Sequence, residues 1–415
     1  MTSTTSIGSK NKKGRIVFAW NYVPWGGAQV YLLAVMKAAR SDWDMLVILP
    51  AASNPEIIRY LEQLGVEYKA VDHHLDISPA PTLKRKLSRQ LTRIKAEYRT
   101  YRELLKYDVR NTAFHIDIAP WQSVTFLSAM SLRGAKVFLT LHNFLPDGWH
   151  MRRLIWKTRF RFVSYLPGLN FFASNNDTKK RLRGWVNDKF WDRIRITFTA
   201  VNPPEIAEAA TAPFDIPEVR ARLGVAANDF VVLGVGQFID RKGRWIFLDA
   251  AREVLKKEPG ISFVWLTPQL PSAEDQARIG GYDLGNKFRL VHAEELGKDR
   301  IDVLKFFRIS DAFALPSYVE GLPIALLEAM AMERPSIATN VYAIPEAVKD
   351  LDTGILIGPG DPVALAESIL KLKADPELRE RLARTGRDYV IKHFDERDAA
   401  ASVIEAYEEA LFDGS

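Results

Sequence analysis

Short runs of apolar, largely β-branched and aromatic residues alternate along the whole chain with longer stretches in which apolar residues recur at helical spacing. This alternation predicts parallel strands joined by crossover helices, because a strand buried on both faces has a continuous apolar sequence. In the first half, we predict strands at 15–20, 45–50, 113–118, 136–141, 169–173 and 195–200. In the second half, we predict strands at 230–236, 261–266, 287–292, 311–316 and 335–339.

The chain is too long for one hydrophobic core. Its 415 residues predict two domains of ordinary size, each built on its own sheet. Between the two sets of strands lies the sequence VNPPEIAEAATAPFDIP, residues 201–217, whose prolines and small residues are typical of a hinge. We therefore expect a first domain of residues 1–200 and a second domain that begins at residue 201.

Charge is divided unevenly between the two halves, although the net charge of the chain is only +6. Residues 1–205 hold 32 Lys and Arg against 16 Asp and Glu, whereas residues 206–415 hold 25 against 35. Such asymmetry indicates that the first half meets an anionic partner, which we interpret as a membrane surface, a phosphorylated lipid or a nucleic acid.

No run of about 18 apolar residues is free of charge, so no membrane-spanning helix is expected. The polar start of the sequence lacks the apolar centre of a signal peptide, and we expect a cytoplasmic protein. The absence of cysteine excludes disulfides, thiolate chemistry and cysteine-containing zinc sites. Asp-x-Asp sequences at 42–44 and 350–352 are interpreted as surface charges, so no metal site is predicted.

Each half opens with a strand, a glycine-bearing loop and a helix. Glycines at such a turn let backbone N–H groups approach an anion at the positive end of the helix. Gly26 and Gly27 are candidates for an anion-binding loop, with a tight turn as the alternative. In the second half Arg241 and Lys242 precede Gly243, so two cations stand where a diphosphate would bind, with a solvated basic turn as the alternative.

The sequence SYVEGLPIALLEAM, residues 317–330, carries two carboxylates in a largely apolar stretch. We predict that Glu320 lies on a loop at the carboxyl end of a buried strand and that Glu328 lies on the following helix. Ligands of open α/β sheets bind beyond the carboxyl ends of the strands, so both carboxylates are candidates for binding sugar hydroxyls. In the alternative interpretation Glu320 caps the helix and Glu328 lies on its exposed side.

These segments together resemble the retaining glycosyltransferases of family 4, over nearly the whole chain. The most specific match is the Glu-x7-Glu pattern EGLPIALLE. Other matches fall in the family's order, namely GGAQ, LTLHNF, ASNNDTKKRL, VNPP and VGQFIDRKG. The resemblance implies an α/β GT-B fold, in which two Rossmann-like domains with parallel sheets face each other. It also implies that the second domain covers residues 201–385 and that helices in 386–415 return toward the first domain.

The resemblance assigns the two carboxylates to the donor. Glu328 matches the residue that holds the ribose hydroxyls of the nucleotide, and Glu320 matches the one that faces the donor sugar. The backbone amides of three residues match the loop that lies against the sugar and diphosphate; they belong to Gly321, Leu322 and Ile324.

Further donor residues follow in the same way. Arg241 and Lys242 resemble the basic pair that neutralises the diphosphate, close to Gly236 and Gln237 of the preceding loop. Many relatives have arginine in place of Gln237, and our hypothesis is that Arg241 takes that role. His142 resembles the histidine that contacts the donor sugar; a structural histidine that caps the next loop is the alternative. Gly26 and Gly27 match the loop that approaches phosphate or acceptor.

The implied activity is transfer of a sugar from a nucleoside-diphosphate sugar, UDP- or GDP-linked, to a glycan or lipid-linked glycan, with retention of configuration. The implied setting is bacterial envelope polysaccharide synthesis, including lipopolysaccharide. Arg241 and Lys242 supply the charge that a metal supplies elsewhere, so no cofactor or metal is expected. The alternatives are a non-catalytic sugar-nucleotide binder and a nucleic-acid-binding protein that uses the basic first half.

Three segments of the first half mix basic residues with leucine or aromatic residues, as membrane-surface helices do; they are 82–106, 151–172 and 179–191. One hypothesis is a peripheral protein on the inner face of the cell membrane. The other is that these helices bury their apolar sides against the sheet and expose only a basic side. The sequence does not separate the two.

Overall fold

The computed structural model describes residues 12–20, 27–72, 82–142, 150–297 and 299–413. The chain forms two compact units. One contains the residues up to Phe198 together with those from Arg397 onward, and the other is Thr199–Glu396. Both are built on parallel sheets with helices on the two faces.

The first unit contains a seven-stranded sheet among its described residues. Its strands are β1 (Gly14–Trp20), β2 (Trp43–Pro50), β3 (Glu67–Val71), β4 (Thr112–Asp117), β5 (Lys136–Leu141), β6 (Leu169–Ala173) and β7 (Arg195–Ile196), in the spatial order β3-β2-β1-β4-β5-β6-β7. Its helices before the second unit are α1 (Gly27–Ala39), α2 (Pro55–Leu64), α3 (Leu83–Leu104), α4 (Val124–Leu132), α5 (His150–Val163), α6 (Asn176–Leu182) and α7 (Asp188–Arg193). The strand order reverses between β1 and β4, and ligands of open sheets bind at this reversal.

Strand β1 shows why its sequence is continuously apolar. Ile16 and Phe18 pack into the core on one face of the sheet, while Val17 and Ala19 pack into the core on the other. Successive strand side chains point to opposite faces, so a strand covered by helices on both sides needs no polar positions.

Strand β3 was not predicted, and the strand predicted at 195–200 is shorter in the structure. The sequence of β3, EYKAV, has no apolar run because this strand lies at the edge of the sheet and has no fully buried residue. At the opposite edge Arg195 and Ile196 are the register partners of β6, and the N–H of Thr197 adds a hydrogen bond to the oxygen of Ala173 at 2.9 Å, so the strand is shorter than predicted.

The second unit contains a six-stranded sheet among its described residues. Its strands are β8 (Phe230–Val235), β9 (Ile261–Thr267), β10 (Phe288–His292), β11 (Ala312–Leu315), β12 (Ser336–Thr339) and β13 (Ile355–Ile357), in the order β10-β9-β8-β11-β12-β13. Its helices are α8 (Pro203–Thr211), α9 (Ile216–Arg222), α10 (Arg244–Lys257), α11 (Ala273–Gly280), α12 (Arg300–Phe306), α13 (Ile324–Ala331), α14 (Ile344–Ala347), α15 (Pro362–Ala374) and α16 (Pro376–His393). Here the reversal lies between β8 and β11.

The segment predicted as a hinge, 201–217, contains helix α8. Asn202 caps this helix by accepting a hydrogen bond from the backbone N–H of Glu205, and Pro203 and Pro204 occupy its first turn, where no N–H is required. The prolines therefore start a helix instead of marking an irregular linker.

The three-residue strand β13 was also missed, because its apolar run is short.

The return to the first unit begins at Arg397, later than the predicted residue 386. Helix α16 stays with the second unit, where Leu378 and Leu382 pack into its core. Helix α17 (Glu396–Glu408) then packs Ala400, Val403 and Tyr407 against the sheet of the first unit.

Acidic residues near the end of α17 pair with cations of the first unit. Arg195 forms ion pairs with Glu405 at 2.9 Å and with Glu409, and Lys13 pairs with Glu408 at 2.7 Å. The acidic end of the chain thus offsets part of the positive charge of the first half. Within the described residues, no helix has both the length and the apolar character needed to span a membrane.

Candidate functional site

In the second unit, the loop between β11 and α13 buries the carboxylate of Glu320. Only 5% of the residue is exposed. Its Oε1 accepts a hydrogen bond from the Ser317 hydroxyl at 2.8 Å and pairs with Lys242 Nζ at 2.6 Å. Arg241 Nη1 lies 3.5 Å from Oε2 and donates to the backbone oxygen of Val319 at 3.0 Å. The structure therefore brings together the predicted carboxylate and both predicted cations.

The tight turn after β8 positions the two cations. Asp240–Lys242 forms one turn of 3₁₀ helix that ends at Gly243, whose φ is 73°. A Cβ atom at Gly243 would lie 1.9 Å from the backbone oxygen of Pro316, so only glycine allows this close approach to the neighbouring loop. The backbone N–H of Tyr318 donates to the oxygen of Arg241 at 2.9 Å, which joins the two loops.

Gly236 and Gln237 begin the same turn, at the carboxyl end of β8. Gly236 has a φ of 138°, and its oxygen accepts a hydrogen bond from Trp265 Nε1 at 2.9 Å. The backbone oxygen of Gln237 accepts from the N–H of Ile239 at 2.9 Å. Gln237 thus shapes the turn through its backbone, while Arg241 is the arginine that reaches Glu320.

The start of α13 leaves backbone donors available. Pro323 is the N-cap residue, directly before the first helical residue. Within the part of the chain that the structure describes, the backbone N–H groups of Gly321, Leu322 and Ile324 donate to no other group. Three such donors at the positive end of a helix, beside two cations, suit an anionic ligand.

Glu328 lies on α13 as predicted, and it is buried with 4% of the residue exposed. Its Oε1 accepts from Arg300 Nη2 at 2.5 Å, and Arg300 Nε also reaches Glu205 at 3.3 Å. Burial raises the pKa of the Glu328 carboxyl above its ordinary value, while the positive charge of Arg300 opposes that rise. The interpretation that placed Glu328 on an exposed side was wrong, because the apolar residues around it leave α13 no solvent-facing side.

Arg300 is a site residue that the sequence analysis missed. It is the first residue of α12 and lies 28 positions before Glu328. No local pattern connects the two residues, since their contact depends on how α12 and α13 are placed in the fold. Arg300 thus forms ion pairs with two carboxylates, those of Glu205 and Glu328.

In the first unit, His142 directly follows β5 at the carboxyl end of the strand. The residue is partly exposed, and its ring meets the Tyr31 ring edge-on with centroids 5.2 Å apart. The surrounding protein lowers the pKa of His142 to about 4, so the imidazole is neutral at physiological pH. A neutral imidazole can both donate and accept a hydrogen bond.

A buried chain of hydrogen bonds lies on the same sheet. Tyr31 bonds the Thr197 hydroxyl at 2.7 Å and also interacts with Thr140. His115 connects Thr140, at 2.9 Å, with the Tyr407 hydroxyl of α17, at 2.5 Å. Burial lowers the pKa of His115 to about 3 and raises that of Tyr31 to about 12. These hydrogen bonds link helix α17 to strand β5, which His142 directly follows.

Asp117 is a second candidate that the sequence analysis missed. It is the last residue of β4, at the strand reversal of the first sheet, and pairs in register with Trp20 of β1. Among the described residues, its carboxyl group has no hydrogen-bond or ion-pair partner. The residue is partly exposed, and desolvation of its carboxyl group raises the pKa of Asp117 to about 6. The polar residue at the end of the apolar run AFHIDI was the available signal.

Of the two glycines predicted to form an anion-binding loop in the first half, only Gly27 lies among the described residues. Gly26 lies outside the described residues, and so do the residues that follow His142 up to 149. Gly27 is the first residue of α1, and a Cβ atom there would meet nothing within 4 Å. Steric crowding therefore does not require glycine at position 27.

Metal binding was not predicted. Among the residues that the structure describes, no three His, Asp or Glu side chains lie close enough to hold an ion. In the two Asp-x-Asp sequences, Asp44 pairs with Arg15 at 2.5 Å, and Asp350 accepts from the N–H of Leu356 at 2.9 Å. Both aspartates thus have structural partners.

Chemically, the second unit offers two cations and free amides for an anion, beside a buried carboxylate for hydroxyl groups. The first unit offers an uncharged imidazole and a carboxyl group that has no partner among the residues that the structure describes. The groups of the second unit suit a phosphorylated sugar, and those of the first unit suit a hydroxyl-bearing molecule.

Residues 215–389 match the family described as Glycosyl transferases group 1. Among curated proteins, the chain is 30% identical over 228 residues to a D-inositol 3-phosphate glycosyltransferase of Acidothermus cellulolyticus, covering 53% of this chain and 49% of that protein. It is 28% identical over 241 residues to the lipopolysaccharide core biosynthesis glycosyltransferase LpsD of Rhizobium meliloti, covering 56% and 61%. The match thus spans about half to three-fifths of the length of these relatives.

Two solved structures share the fold over nearly the whole chain. A glycosyltransferase of Rickettsia africae has a TM-score of 0.75 at 18% identity, covering 98% of this chain and 100% of that one. Anabaena Alr3699/HepE, in complex with UDP and glucose, has a TM-score of 0.73 at 19% identity, covering 95% and 99%. The predicted fold class of two Rossmann-like domains with parallel sheets is confirmed.

Proposed function

Because residues 215–389 match the group 1 glycosyltransferases, we propose that the protein transfers a sugar from a nucleoside-diphosphate sugar to a hydroxyl group of a glycan or lipid-linked glycan. The observation that carries the proposal is the cluster of Lys242, Arg241 and Glu320 at the strand reversal of the second sheet, beside free amides at the start of α13. Charges of both signs at one point match a donor that has both phosphates and hydroxyls.

The ion pairs suggest how the donor enters the site. Lys242 and Arg241 exchange Glu320 for the oxygens of the diphosphate, which frees the carboxylate to accept a hydrogen bond from the sugar. Glu328, held by Arg300, accepts from the ribose hydroxyls. We propose a UDP- or GDP-linked donor, and the complex of HepE with UDP and glucose supports this choice.

The transfer step forms a bond between the acceptor oxygen and the anomeric carbon while the bond from that carbon to the diphosphate oxygen breaks. The acceptor proton passes to the departing diphosphate, whose negative charge Lys242 and Arg241 stabilise. We propose retention of configuration, as in family 4, with these two cations acting in place of a metal. The neutral His142 contributes a hydrogen bond to a sugar hydroxyl, and Asp117 orients the acceptor.

For the acceptor, we propose an intermediate of bacterial envelope polysaccharide synthesis. LpsD acts in lipopolysaccharide core synthesis, which supports a glycan or lipid-linked glycan. The basic first half is consistent with a substrate that carries phosphate or a lipid anchor.

Calorimetric titration with UDP, GDP, ADP and TDP tests the donor site. We expect selective binding of UDP or GDP by the wild type. Glu328→Gln should weaken that binding by roughly 1.5–3 kcal/mol, because a charged hydrogen-bond acceptor is lost. Glutamine leaves Arg300 a neutral partner, and thermal unfolding verifies that the variant is folded.

Glu253→Gln is the matched control. Glu253 lies on α10 of the same unit and pairs with Lys256 at the surface, at 2.7 Å, so nucleotide affinity should not change. If the folded wild type binds none of the four nucleotides, the proposed donor site is wrong. If Glu328→Gln and Glu253→Gln bind equally well, the role proposed for Glu328 is wrong.

A further inference from the structure

Helix α3 carries a stripe of apolar side chains that face solvent. Five residues are each more than half exposed; they are Leu83, Leu87, Leu91, Ile94 and Tyr98. At about 100° per residue, they fall within an arc of roughly 80° of the helix surface. Soluble proteins rarely expose a continuous apolar patch of this kind unless it binds something.

These apolar side chains of α3 do not pack against the sheet. The buried residues of α3 are confined to its C-terminal part, from Ala96 to Leu104, whereas no residue from Leu83 to Lys95 is buried. This placement contradicts the hypothesis that α3 packs its leucines on the sheet and exposes only a basic side. About three turns of the helix therefore leave their apolar residues without an internal partner among the described residues.

Helix α5 repeats the arrangement. Its inner side buries Trp156, Phe160 and Val163. The opposite side exposes apolar residues that again share one stripe; they are Met151, Leu154, Ile155 and Phe162. An amphipathic helix of a globular protein normally has one apolar side, and α5 has two.

The two helices border one surface. Lys86, Arg89 and Gln90 of α3 and Arg152 of α5 line a common groove. Arg93 of α3 also donates to the side chain of Gln122, next to the residues against which α5 packs. We name the exposed residues of Leu83–Tyr98 and Met151–Phe162 the α3–α5 surface.

The charge of this surface is strongly positive. Helix α3 has eight Lys and Arg and two Glu, and α5 has five Lys and Arg and no acidic residue. The two acidic residues face inward: Glu97 accepts from Ser123 at 2.7 Å, and Glu103 pairs with Lys69 and Lys106. The solvent-facing side therefore presents cations on both sides of an aliphatic stripe.

We propose that the α3–α5 surface binds an anionic lipid bilayer, with the apolar stripes in the interfacial region and the flanking cations on the lipid phosphates. Interfacial helices combine apolar and basic residues in this way, and the charge complements an anionic leaflet. A nucleic acid would use the cations but gain nothing from leucine, isoleucine and methionine. The proposal does not depend on the proposed sugar transfer, because lipid binding is measured without donor or acceptor.

A fluorescent label tests insertion directly. The chain has no cysteine, so Leu91→Cys provides a single attachment site for an environment-sensitive dye. We expect the emission to shift to the blue on vesicles of phosphatidylglycerol and phosphatidylcholine and to stay unchanged on phosphatidylcholine alone. Leu132→Cys, at the exposed end of α4, is the control and should show no shift. Equal responses at the two positions would overturn the proposal.

Vesicle flotation of the unlabelled full chain tests the energetics. Leu87→Gln/Leu91→Gln should lower partitioning onto the anionic vesicles by about tenfold or more, since less apolar area enters the interface. The matched control Leu132→Gln/Leu270→Gln removes two leucines that lie elsewhere and are more exposed than Leu87 and Leu91, and it should bind like the wild type. Raising the salt concentration should weaken wild-type binding.

Three results would overturn the proposal. The first is absence of wild-type binding to anionic vesicles. The second is equal binding by the stripe variant and the control. The third is sedimentation that shows a wild-type dimer which Leu87→Gln/Leu91→Gln dissociates, because the stripe would then join two copies of this chain.

Discussion

The two sheets treat polar groups at their carboxyl ends in opposite ways. In the second unit, Lys242 and Glu320 form a short ion pair. In the first unit, His142 and Asp117 form no ion pair among the described residues, and their surroundings shift each pKa toward the neutral form. The same strand-end position therefore supports two kinds of chemistry, one for a charged ligand and one for an uncharged, hydroxyl-bearing ligand.

The difference arises from what surrounds each group. The loop after β11 supplies a hydroxyl to Glu320 and the turn after β8 supplies two cations, so the protein replaces the water that burial removes. Around Asp117, desolvation is the cause of the pKa shift. A carboxyl group without a partner is costly to bury, which is typical of groups that await a ligand.

Removal of Arg300 should have the largest effect on stability. Arg300→Ala leaves Glu328 buried beside Glu205 without a cation, and we expect a loss of about 3–5 kcal/mol in the free energy of unfolding of the second unit. Hydrogen exchange of the amides in β11 and β12 measures the loss. Arg252→Ala, whose partner Asp249 is at the surface, should cost less than about 1 kcal/mol. Similar losses would show that the buried cluster has no special role.

Removal of Lys242 should have the largest effect on activity. If Lys242 stabilises the departing diphosphate, Lys242→Ala should slow sugar transfer or donor hydrolysis by about 10²–10³-fold, which corresponds to roughly 2.7–4 kcal/mol. The control is Lys256→Ala, a surface lysine on α10 that pairs with Glu253. A rate within about twofold of the wild type would remove Lys242 from the proposed mechanism.

Replacement of Asp117 should stabilise the protein. The folded pKa is about 6 against an ordinary value of 3.8, so above pH 6 the charged form is destabilised in the fold. At about 1.4 kcal/mol per pKa unit, Asp117→Asn should gain about 2–3 kcal/mol at pH 7.5. As the pH falls from 6 to 3.8, the folded protein takes up the proton first, so the advantage of asparagine should disappear.

Hydrogen exchange of β4 at several pH values measures this gain. Asp108→Asn is a control of opposite sign. Hydrogen bonds from Asn111 and Arg110 lower the pKa of Asp108, so this replacement should not stabilise the fold. A loss of stability with Asp117→Asn at pH 7.5 would mean that the carboxylate has a favourable partner.

The smallest effect should come from the hydroxyl that links α17 to the first sheet. Tyr407→Phe removes the partner of His115 Nδ1 and should cost about 1 kcal/mol, measured by chemical denaturation. Tyr101→Phe is the control, because its ring packs on Phe126 and lies outside this chain of hydrogen bonds. If Tyr407→Phe lowers the free energy of unfolding no more than Tyr101→Phe does, the buried hydrogen bonds do not hold α17 on the first sheet.

Several site features were predictable because they depend on neighbours in the sequence. The buried strand AFAL, the loop that carries Glu320 and the helix that carries Glu328 follow one another along the chain. The turn with Arg241 and Lys242 follows a strand directly, so the carboxyl-end rule for parallel sheets placed both loops at one edge.

The sequence by itself determined the two parallel sheets, because continuous apolar strands alternating with amphipathic helices have few other ways to bury their side chains. It also determined which loops lie at the strand ends. Only the tertiary structure decided that Arg300 holds Glu328, that Asp117 lacks a partner among the described residues and that the leucines of α3 face outward. Each of these outcomes depends on how helices and strands distant in the sequence pack together. Residue spacing fixes which side of an element is apolar but does not fix what that side meets.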